Sequence, residues 1–278
     1  MRIALLTCDQ PWQRTLAARL AARHELALIV IDQHLALLSR LRSLLAGVGR
    51  KPTDLLRKLR DKARVRSIER RDAEIYDAFF ATRGAPSFAV SARRVIEAAD
   101  INSDGIAQAI RTAAPAAVVV SGTRLLRSPV VDLEPALGLI NLHTGLSPYY
   151  RGGPCTFWTL YNEEPEYAGA TVHHLSKGID SGDILLSAQA ALEEGDGVAS
   201  LDCKVVALGH GLVLRALDLL EQGRAPRVRQ WEKGKLFLYR YFTSDARLDL
   251  EHRLQEGLVR RCLERLRREP SVVRTVGA

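Results

Sequence analysis

The chain has 278 residues, of which 47% are hydrophobic and 26% are charged. These proportions are ordinary for a globular protein with a substantial core, and they exclude disorder on a large scale. No apolar run is long enough to span a bilayer, and polar residues interrupt the amino-terminal segment too soon for a signal peptide. We therefore expect a cytoplasmic protein, and the high content of alanine, leucine and arginine hints at a bacterial source.

The net charge of +8 and the isoelectric point of about 9.6 favour anionic partners, namely phosphorylated small molecules, nucleic acids or membrane surfaces. Charge alone does not choose among them. The four cysteines are far apart and form no metal-ligand pattern, so we expect free thiols and no bound metal. No base is placed to activate Cys155, and we interpret it as a packing residue that opens a helix, not as a nucleophile.

The amino-terminal segments alternate between strand and helix. Residues 1–7 and 25–31 are short apolar runs, and between them apolar side chains recur at helical spacing. This order predicts a right-handed parallel strand–helix–strand unit. The loop after the first run has no GxGxxG pattern, so a dinucleotide fingerprint is absent.

A basic insert of about residues 34–80 follows. Residues 34–71 are helical in pattern and rich in arginine and lysine, with leucines on an apolar face and a break between Gly47 and Pro52. Such a segment either contacts nucleic acid or acidic lipid, or is a helical hairpin with a solvated basic face. We favour the hairpin, because no aromatic residues interleave the charges as in a surface that stacks bases.

The next segments supply more strands and helices. Residues 87–90 are predicted to form a short strand or an extended loop, and residues 102–104 cap a helix. Residues 116–121 form a continuous apolar run, as is typical of a central strand buried on both faces. A strand over 138–143, a helix over 155–161, a strand over 169–175 and a helix over 201–220 complete the pattern.

The whole pattern predicts an α/β fold: a Rossmann-like open, mostly parallel sheet with flanking helices. We place one main domain at residues 1–222 and a small α+β extension at 223–278, where the composition shifts. The extension begins with a basic linker and is predicted to have a hairpin turn at residues 233–235, before the apolar run 236–242. It ends in a basic amphipathic helix over residues 249–268.

The chemistry is concentrated between Ile140 and Asp183. Asn141 and His143 are two apart, so in a strand their side chains point to the same side. A turn-rich loop follows, and glycines flank Asp180, where they let the backbone approach a ligand closely. An amide, an imidazole and a carboxylate are a usable set for acyl transfer. No serine or cysteine is placed as a covalent nucleophile, which favours direct transfer between two bound substrates.

Three motifs in this stretch carry a family resemblance. Asn141-x-His143, the run LSPYYRGG and the run TVHHLSKGIDSGDIL together resemble the folate-dependent formyltransferases, over roughly residues 95–190. That family includes methionyl-tRNA formyltransferase, glycinamide ribonucleotide formyltransferase and the N-formyltransferases of nucleotide-linked amino sugars. The resemblance implies catalytic roles for Asn141, His143 and Asp180. From the residues alone, we assign His173 and His174 at most a supporting or packing role, since no third metal ligand is apparent. The resemblance places a family histidine at His173, which implies contact with the site.

The resemblance further implies two binding regions. For the folate, the residues are Arg124, Leu125, Leu126, Gly178 and Ile179. For the acceptor, the residues are Ser147, Tyr150, Arg151 and Gly152, among which the Arg151 guanidinium can hold an anion. The implied co-substrate is 10-formyltetrahydrofolate, with no metal.

The leading hypothesis is formyl transfer to a primary amine on a small anionic acceptor, preferably a nucleotide-linked amino sugar. One alternative is a methionyl-tRNA formyltransferase-like enzyme that binds nucleic acid, although the extension is too short for the full β-barrel expected there. Another is formyltetrahydrofolate hydrolysis, whose known enzymes carry an additional amino-terminal regulatory domain. A degenerate binding module is disfavoured because all three catalytic residue types are present. A homo-oligomer stays open.

Overall fold

The computed structural model describes residues 1–33, 52–81 and 87–277. Its strands are β1 (Arg2–Thr7), β2 (Glu25–Asp32), β3 (Val95–Ala98), β4 (Ala117–Ser121), β5 (Leu139–His143), β6 (Tyr150–Gly152), β7 (Gly169–His174), β8 (Ile184–Gln189) and β9 (Lys235–Phe237). Its α-helices are α1 (Pro11–Ala21), α2 (Pro52–Ala81), α3 (Asp104–Ala113), α4 (Cys155–Tyr161), α5 (Val198–Glu221), α6 (Ser244–Gln255) and α7 (Leu258–Arg268).

The main sheet has seven strands in the order β3-β2-β1-β4-β5-β7-β8. The first five run parallel to one another, and β7 and β8 continue the sheet in antiparallel pairing. This arrangement confirms the predicted Rossmann-like, mostly parallel sheet. β1 and β2 pair in parallel through α1, which confirms the predicted amino-terminal unit.

Helices cover both faces of the sheet, which is why the central strands are apolar along their whole length. On one face, α3 packs Ile106 and Ile110 against Val118 and Val120 of β4. On the other face, residues of α1, α4 and α5 join one larger apolar cluster with alternate side chains of β1, β4 and β5. None of the helices among the described residues is both long and apolar enough to cross a membrane.

The basic insert is attached to the domain at its far end. Phe80 of α2 is fully buried, and the Tyr76 ring lies 4.7 Å from that of Trp12 in α1. The Tyr76 hydroxyl donates to the carboxylate of Asp202 on α5. Basic side chains nearer its start, such as Arg66, are exposed. The first half of the predicted hairpin, including the break near Gly47, lies outside the described residues.

Three local predictions were wrong. Phe88–Val90 is a 3-10 helix and not a strand or extended loop, because the Ser87 side chain accepts a hydrogen bond from the Ala89 amide and closes a turn. The carboxyl-terminal helix is two helices, since the chain changes direction at Gly257 with φ 81° between α6 and α7. The supposed hairpin at residues 233–235 is absent, because β9 pairs in parallel with the distant strand β6.

The predicted extension packs closely on the main domain. Besides the β6–β9 pair, Val228 and Ile184 exchange two backbone hydrogen bonds of 2.8 and 2.9 Å. Gly152 is required at the close approach of β6 to β9, because its φ is 84° and a Cβ there would lie 2.0 Å from the Phe237 carbonyl oxygen. The boundary at residue 222 stays a prediction, but residues 223–277 complete the same core.

Candidate active site

Asn141 and His143 lie at the carboxyl end of β5, the edge where open parallel sheets bind their ligands. Strand β7 runs beside them, with His173 paired to Asn141 in the register. The loop after β7 turns back over this edge and carries Asp180, whose φ of 45° is unusual for a residue with a side chain. The fold therefore brings together four polar side chains from two strands and one loop.

The Asp180 carboxylate is the centre of the cluster. Its Oδ2 accepts a 2.9 Å hydrogen bond from the Gly152 amide and lies 3.4 Å from Nδ1 of His143. Its Oδ1 lies 3.3 Å from the amide nitrogen of Asn141 and 3.6 Å from Nε2 of His173. One carboxylate thus contacts every other polar group of the cluster.

These contacts decide the charge of Asp180. Burial alone would raise the pKa of its carboxyl, but the charge of His143 and the neighbouring ring of His173 outweigh burial and hold that pKa below its ordinary value. The Gly152 amide acts in the same direction. Asp180 is therefore an anion at neutral pH.

His143 is held between two acceptors. Its Nε2 lies 3.0 Å from the carbonyl oxygen of Tyr150, and its Nδ1 faces Asp180. Only the imidazolium can donate to both at once. Nε2 also lies 3.5 Å from Sγ of Cys155, but burial raises the pKa of that thiol well above its usual value. Burial thus favours the protonated thiol of Cys155, which lies at the first position of α4, as predicted. The expectation that no base lies beside it was wrong, because Nε2 of His143 does, and its role as a packing residue stays a prediction.

Asn141 and His173 set each other's orientation. Nδ1 of His173 lies 2.8 Å from the carbonyl oxygen of His174 and so carries a hydrogen there. In a neutral ring, Nε2 of His173 then accepts from the Asn141 amide at 3.1 Å. The Asn141 amide nitrogen therefore faces both His173 and Asp180. Its 3.3 Å bond to Asp180 is the longer one and the easier to exchange for a substrate oxygen.

A cavity of about 290 Å³ opens directly in front of the cluster. Asn141, His143, His173 and Asp180 all line it. Its further walls come from the loop after β4, the loop that precedes Asp180, and residues 237–239 at the end of β9. Tyr239 packs its ring against Gly153 and is 68% exposed, so it stands at the mouth.

All five residues predicted for the folate line this cavity: Arg124, Leu125, Leu126, Gly178 and Ile179. The Arg124 side chain is already engaged, because its guanidinium and its amide both donate to the buried carboxylate of Asp32. The guanidinium also donates to the Ala99 carbonyl at 2.7 Å. Arg124 therefore shapes the loop, while Leu125 and Leu126 present side chains to the cavity.

Of the residues predicted for the acceptor, one lines the cavity and the others do not. Gly152 lines the cavity and donates its amide to Asp180. Ser147 and Tyr150 are fully buried behind the wall, and the Tyr150 hydroxyl is bonded to Glu164. Neither side chain can touch an acceptor here, because strand alternation turns Tyr150 into the core. Arg151 lies on the opposite side of β6, and its Nε makes no hydrogen bond to any described residue.

Sequence reasoning missed the contribution of residues 237–239. The apolar run 236–242 is visible in the sequence, but nothing local connects it to β6, more than eighty positions earlier. Among the described residues, no group of three or more His, Cys, Asp or Glu side chains is arranged to hold a metal ion.

A family model described as Formyl transferase matches residues 47–217, more than half of the chain. The chain belongs to the formyl transferase family. The family's fold agrees with the seven-stranded sheet, and the matched residues include the whole cluster around Asp180.

Curated relatives of this formyl transferase match it over part of their length. The methionyl-tRNA formyltransferase of Desulforamulus reducens is 35% identical over 116 residues, which are 42% of this chain and 36% of the relative. That of Halothermothrix orenii is 30% identical over 157 residues, 56% of this chain and 49% of the relative. The chain thus spans between about a third and a half of the length of these relatives.

Solved structures agree with the formyl transferase fold over most of the chain. A 4-N formyltransferase from Francisella tularensis has a TM-score of 0.56 at 16% identity and covers 86% of this chain and 76% of its own. Glycinamide ribonucleotide transformylase 1 from Symbiobacterium toebii has a TM-score of 0.54 at 20% identity, and the match covers 82% of this chain and 94% of the transformylase. At these identities the likeness concerns the fold alone.

Proposed function

We propose that this formyl transferase moves a formyl group from 10-formyltetrahydrofolate to a primary amine. The observation that carries the proposal is the shared carboxylate of Asp180, which contacts both His143 and Asn141 at the wall of a ligand-sized cavity. Family membership supplies the reaction class, and the contacts supply a role for each residue.

The roles follow from charge and hydrogen-bonding capacity. A neutral amine attacks the formyl carbon, and the carbonyl oxygen gains negative charge. The charge of the His143 imidazolium can stabilise this oxygen, and the Asn141 amide can donate to it in place of Asp180. As the carbonyl re-forms, the bond between the formyl carbon and N10 breaks, and tetrahydrofolate leaves with a proton on N10 that balances the proton lost by the amine. Asp180 keeps His143 charged, or takes the proton that the amine loses, through a water molecule. No covalent enzyme intermediate is needed, in keeping with the protonated Cys155.

The residues present fit a folate. Leu126, Leu175 and Ile179 form an apolar wall against which a flat ring can lie, and the main chain of the loop after β4 stands at its edge. The bonds between Arg124 and Asp32 hold that loop in place without a ligand. A pocket with apolar walls and a few fixed polar groups is the usual form of a small-molecule site.

For the acceptor we propose a small anionic amine, preferably a nucleotide-linked amino sugar. The net charge of +8 suits an anion, and Arg151, which is predicted to hold one, is the neighbour of Gly152 in the cavity wall. The 4-N formyltransferase and the likely sugar N-formyltransferase Rv3404c of Mycobacterium tuberculosis share this fold over 86% and 87% of the chain.

Methionyl-tRNA is the second candidate acceptor. It is favoured by the names of the curated relatives and by the exposed basic side chains of α2. Hydrolysis of the same folate is the third, with water in place of the amine.

An acceptor screen tests these proposals. Purified protein and 10-formyltetrahydrofolate are incubated with amino-sugar nucleotides, amino acids, simple amines and methionyl-tRNA, and tetrahydrofolate release and acceptor mass are read together. We expect one added formyl mass on a sugar nucleotide, lost in His143→Ala. Formylated tRNA would support the second candidate, and folate turnover with no formylated acceptor would support hydrolysis. No turnover in any mixture would contradict formyl transfer by this chain.

A further inference from the structure

The loop that carries Asp180 is held by a residue far along the chain. Gln230 follows the short pairing between Val228 and Ile184, which lays residues 228–230 along the edge of β8. Its side-chain Nε2 donates to the carbonyl oxygen of Asp180 at 2.8 Å and to that of Gly182 at 3.0 Å. One side-chain amide thus spans both ends of the turn on which the catalytic carboxylate sits.

The turn has a conformation that needs such support. Asp180 has φ 45°, in the left-handed region that is unfavourable for a residue with a Cβ. Gly182 is pressed so closely on the His174 carbonyl that a Cβ there would lie 1.7 Å from the oxygen. Buried or partly buried carbonyl groups also need donors, and the two N–H groups of Gln230 meet that need.

The carboxylate depends on this turn for its position. The contacts of Asp180 to His143 at 3.4 Å and to Asn141 at 3.3 Å are near the outer limit for direct interaction. A shift of the turn by 1 Å would lengthen both beyond hydrogen-bond distance. The position of the Asp180 carboxylate therefore depends on the backbone of the turn as much as on the hydrogen-bond partners of the side chain.

We propose that Gln230 is a positioning residue, which fixes the Asp180 turn so that the carboxylate reaches His143. The inference rests on the proposed function for its kinetic consequence, but the clamp itself is a structural claim. It assigns to the predicted carboxyl-terminal extension a part in catalysis, independent of any contact with the acceptor.

The test compares Gln230→Met, which removes both N–H donors at nearly constant volume, with Gln255→Met. Gln255 is exposed on α6 and donates to Glu251, so it is a matched control away from the cavity. We expect amide hydrogen exchange in residues 176–184 to rise about tenfold or more in Gln230→Met alone. Unchanged exchange in that segment would overturn the clamp, whether or not the protein has formyl transferase activity.

Kinetics then decide the role. Once the acceptor is identified, Gln230→Met should lower kcat by about 10- to 100-fold. The KM values for folate and acceptor should stay within about threefold of the wild-type values, and the Tm should be nearly unchanged. In an Asp180→Asn background the same substitution should have little further effect, because the carboxylate it positions is gone. A full additional loss of kcat in that background, or an unchanged kcat in the single variant, would overturn the positioning role.

Discussion

Two buried carboxylates of the domain have opposite surroundings. Asp180 lies on a turn against two imidazole rings and a backbone amide. Asp202 lies on α5, and its carboxylate accepts from the hydroxyls of Tyr76 in α2 and Thr156 in α4. Burial raises the pKa of both side chains, but at Asp180 the imidazoles outweigh it, whereas the two hydroxyls at Asp202 do not.

The difference shows what makes a buried carboxylate an anion. Hydroxyl groups donate hydrogen bonds but bring no positive charge, so they only partly replace the water that a carboxylate loses. The pKa of Asp202 therefore stays above its ordinary value. We interpret Asp202 as a structural link that joins α2, α4 and α5, and Asp180 as the charged group of the site. Three predictions test this contrast.

The largest expected difference is in turnover. Asp180→Asn keeps the size of the side chain but removes its charge, so kcat should fall by about 10³-fold or more, with folate affinity within about threefold. Asp202→Asn should lower kcat by less than about tenfold. Tetrahydrofolate release under saturating substrates measures both. If Asp202→Asn lowered kcat as much as Asp180→Asn, the two carboxylates would not have the different roles assigned to them.

The pH dependence of stability should differ in sign. The folded-state pKa of Asp180 is depressed, so its contribution is present above the unfolded pKa of about 3.9 and is lost as pH falls through the folded value. The wild type should therefore lose its advantage over Asp180→Asn, on the order of 1–3 kcal/mol, as pH falls below about 5.

The folded-state pKa of Asp202 is raised, so its contribution is present below the unfolded pKa and is lost as pH rises through the folded value. The free energy of unfolding of the wild type should therefore exceed that of Asp202→Asn by most at low pH. This difference should become smaller as pH rises to neutrality. Urea unfolding across this range measures both differences in the free energy of unfolding. Two differences that change in the same direction with pH would contradict the contrast.

The smallest effect is expected from Tyr76→Phe. It removes one hydroxyl donor from Asp202, and the free energy of unfolding should fall by about 1 kcal/mol. Turnover should stay within about twofold, because the bond anchors the insert and not the catalytic turn. Tyr241→Phe is the control, since Tyr241 is exposed and bonds only its neighbour Arg240 among described side chains. A tenfold loss of turnover in Tyr76→Phe would show that α2 acts on the site.

Much of the site was predictable because its pattern is local. Asn141 and His143 are two positions apart, and strand alternation alone puts both on one side. The continuous apolar runs of β1 and β4 indicated parallel strands covered on both faces, and the carboxyl edge of such strands is where ligands bind. The glycines around Asp180 marked a turn, although its left-handed φ is a property of the folded loop.

Other features depended on distant contacts that no short pattern contains. Tyr150 belongs to the same motif as Gly152, yet its side chain enters the core while the Gly152 amide faces Asp180. Gln230 and residues 237–239 reach the site because residues 228 and 235–237 pair with strands far back in the chain. The sequence by itself indicated the fold class, since periodicity acts over a few residues, and its family resemblance indicated the three residues that we propose for catalysis. Only the tertiary structure decided which later segments close the cavity and hold Asp180, because such pairing is set by the packing of the whole sheet.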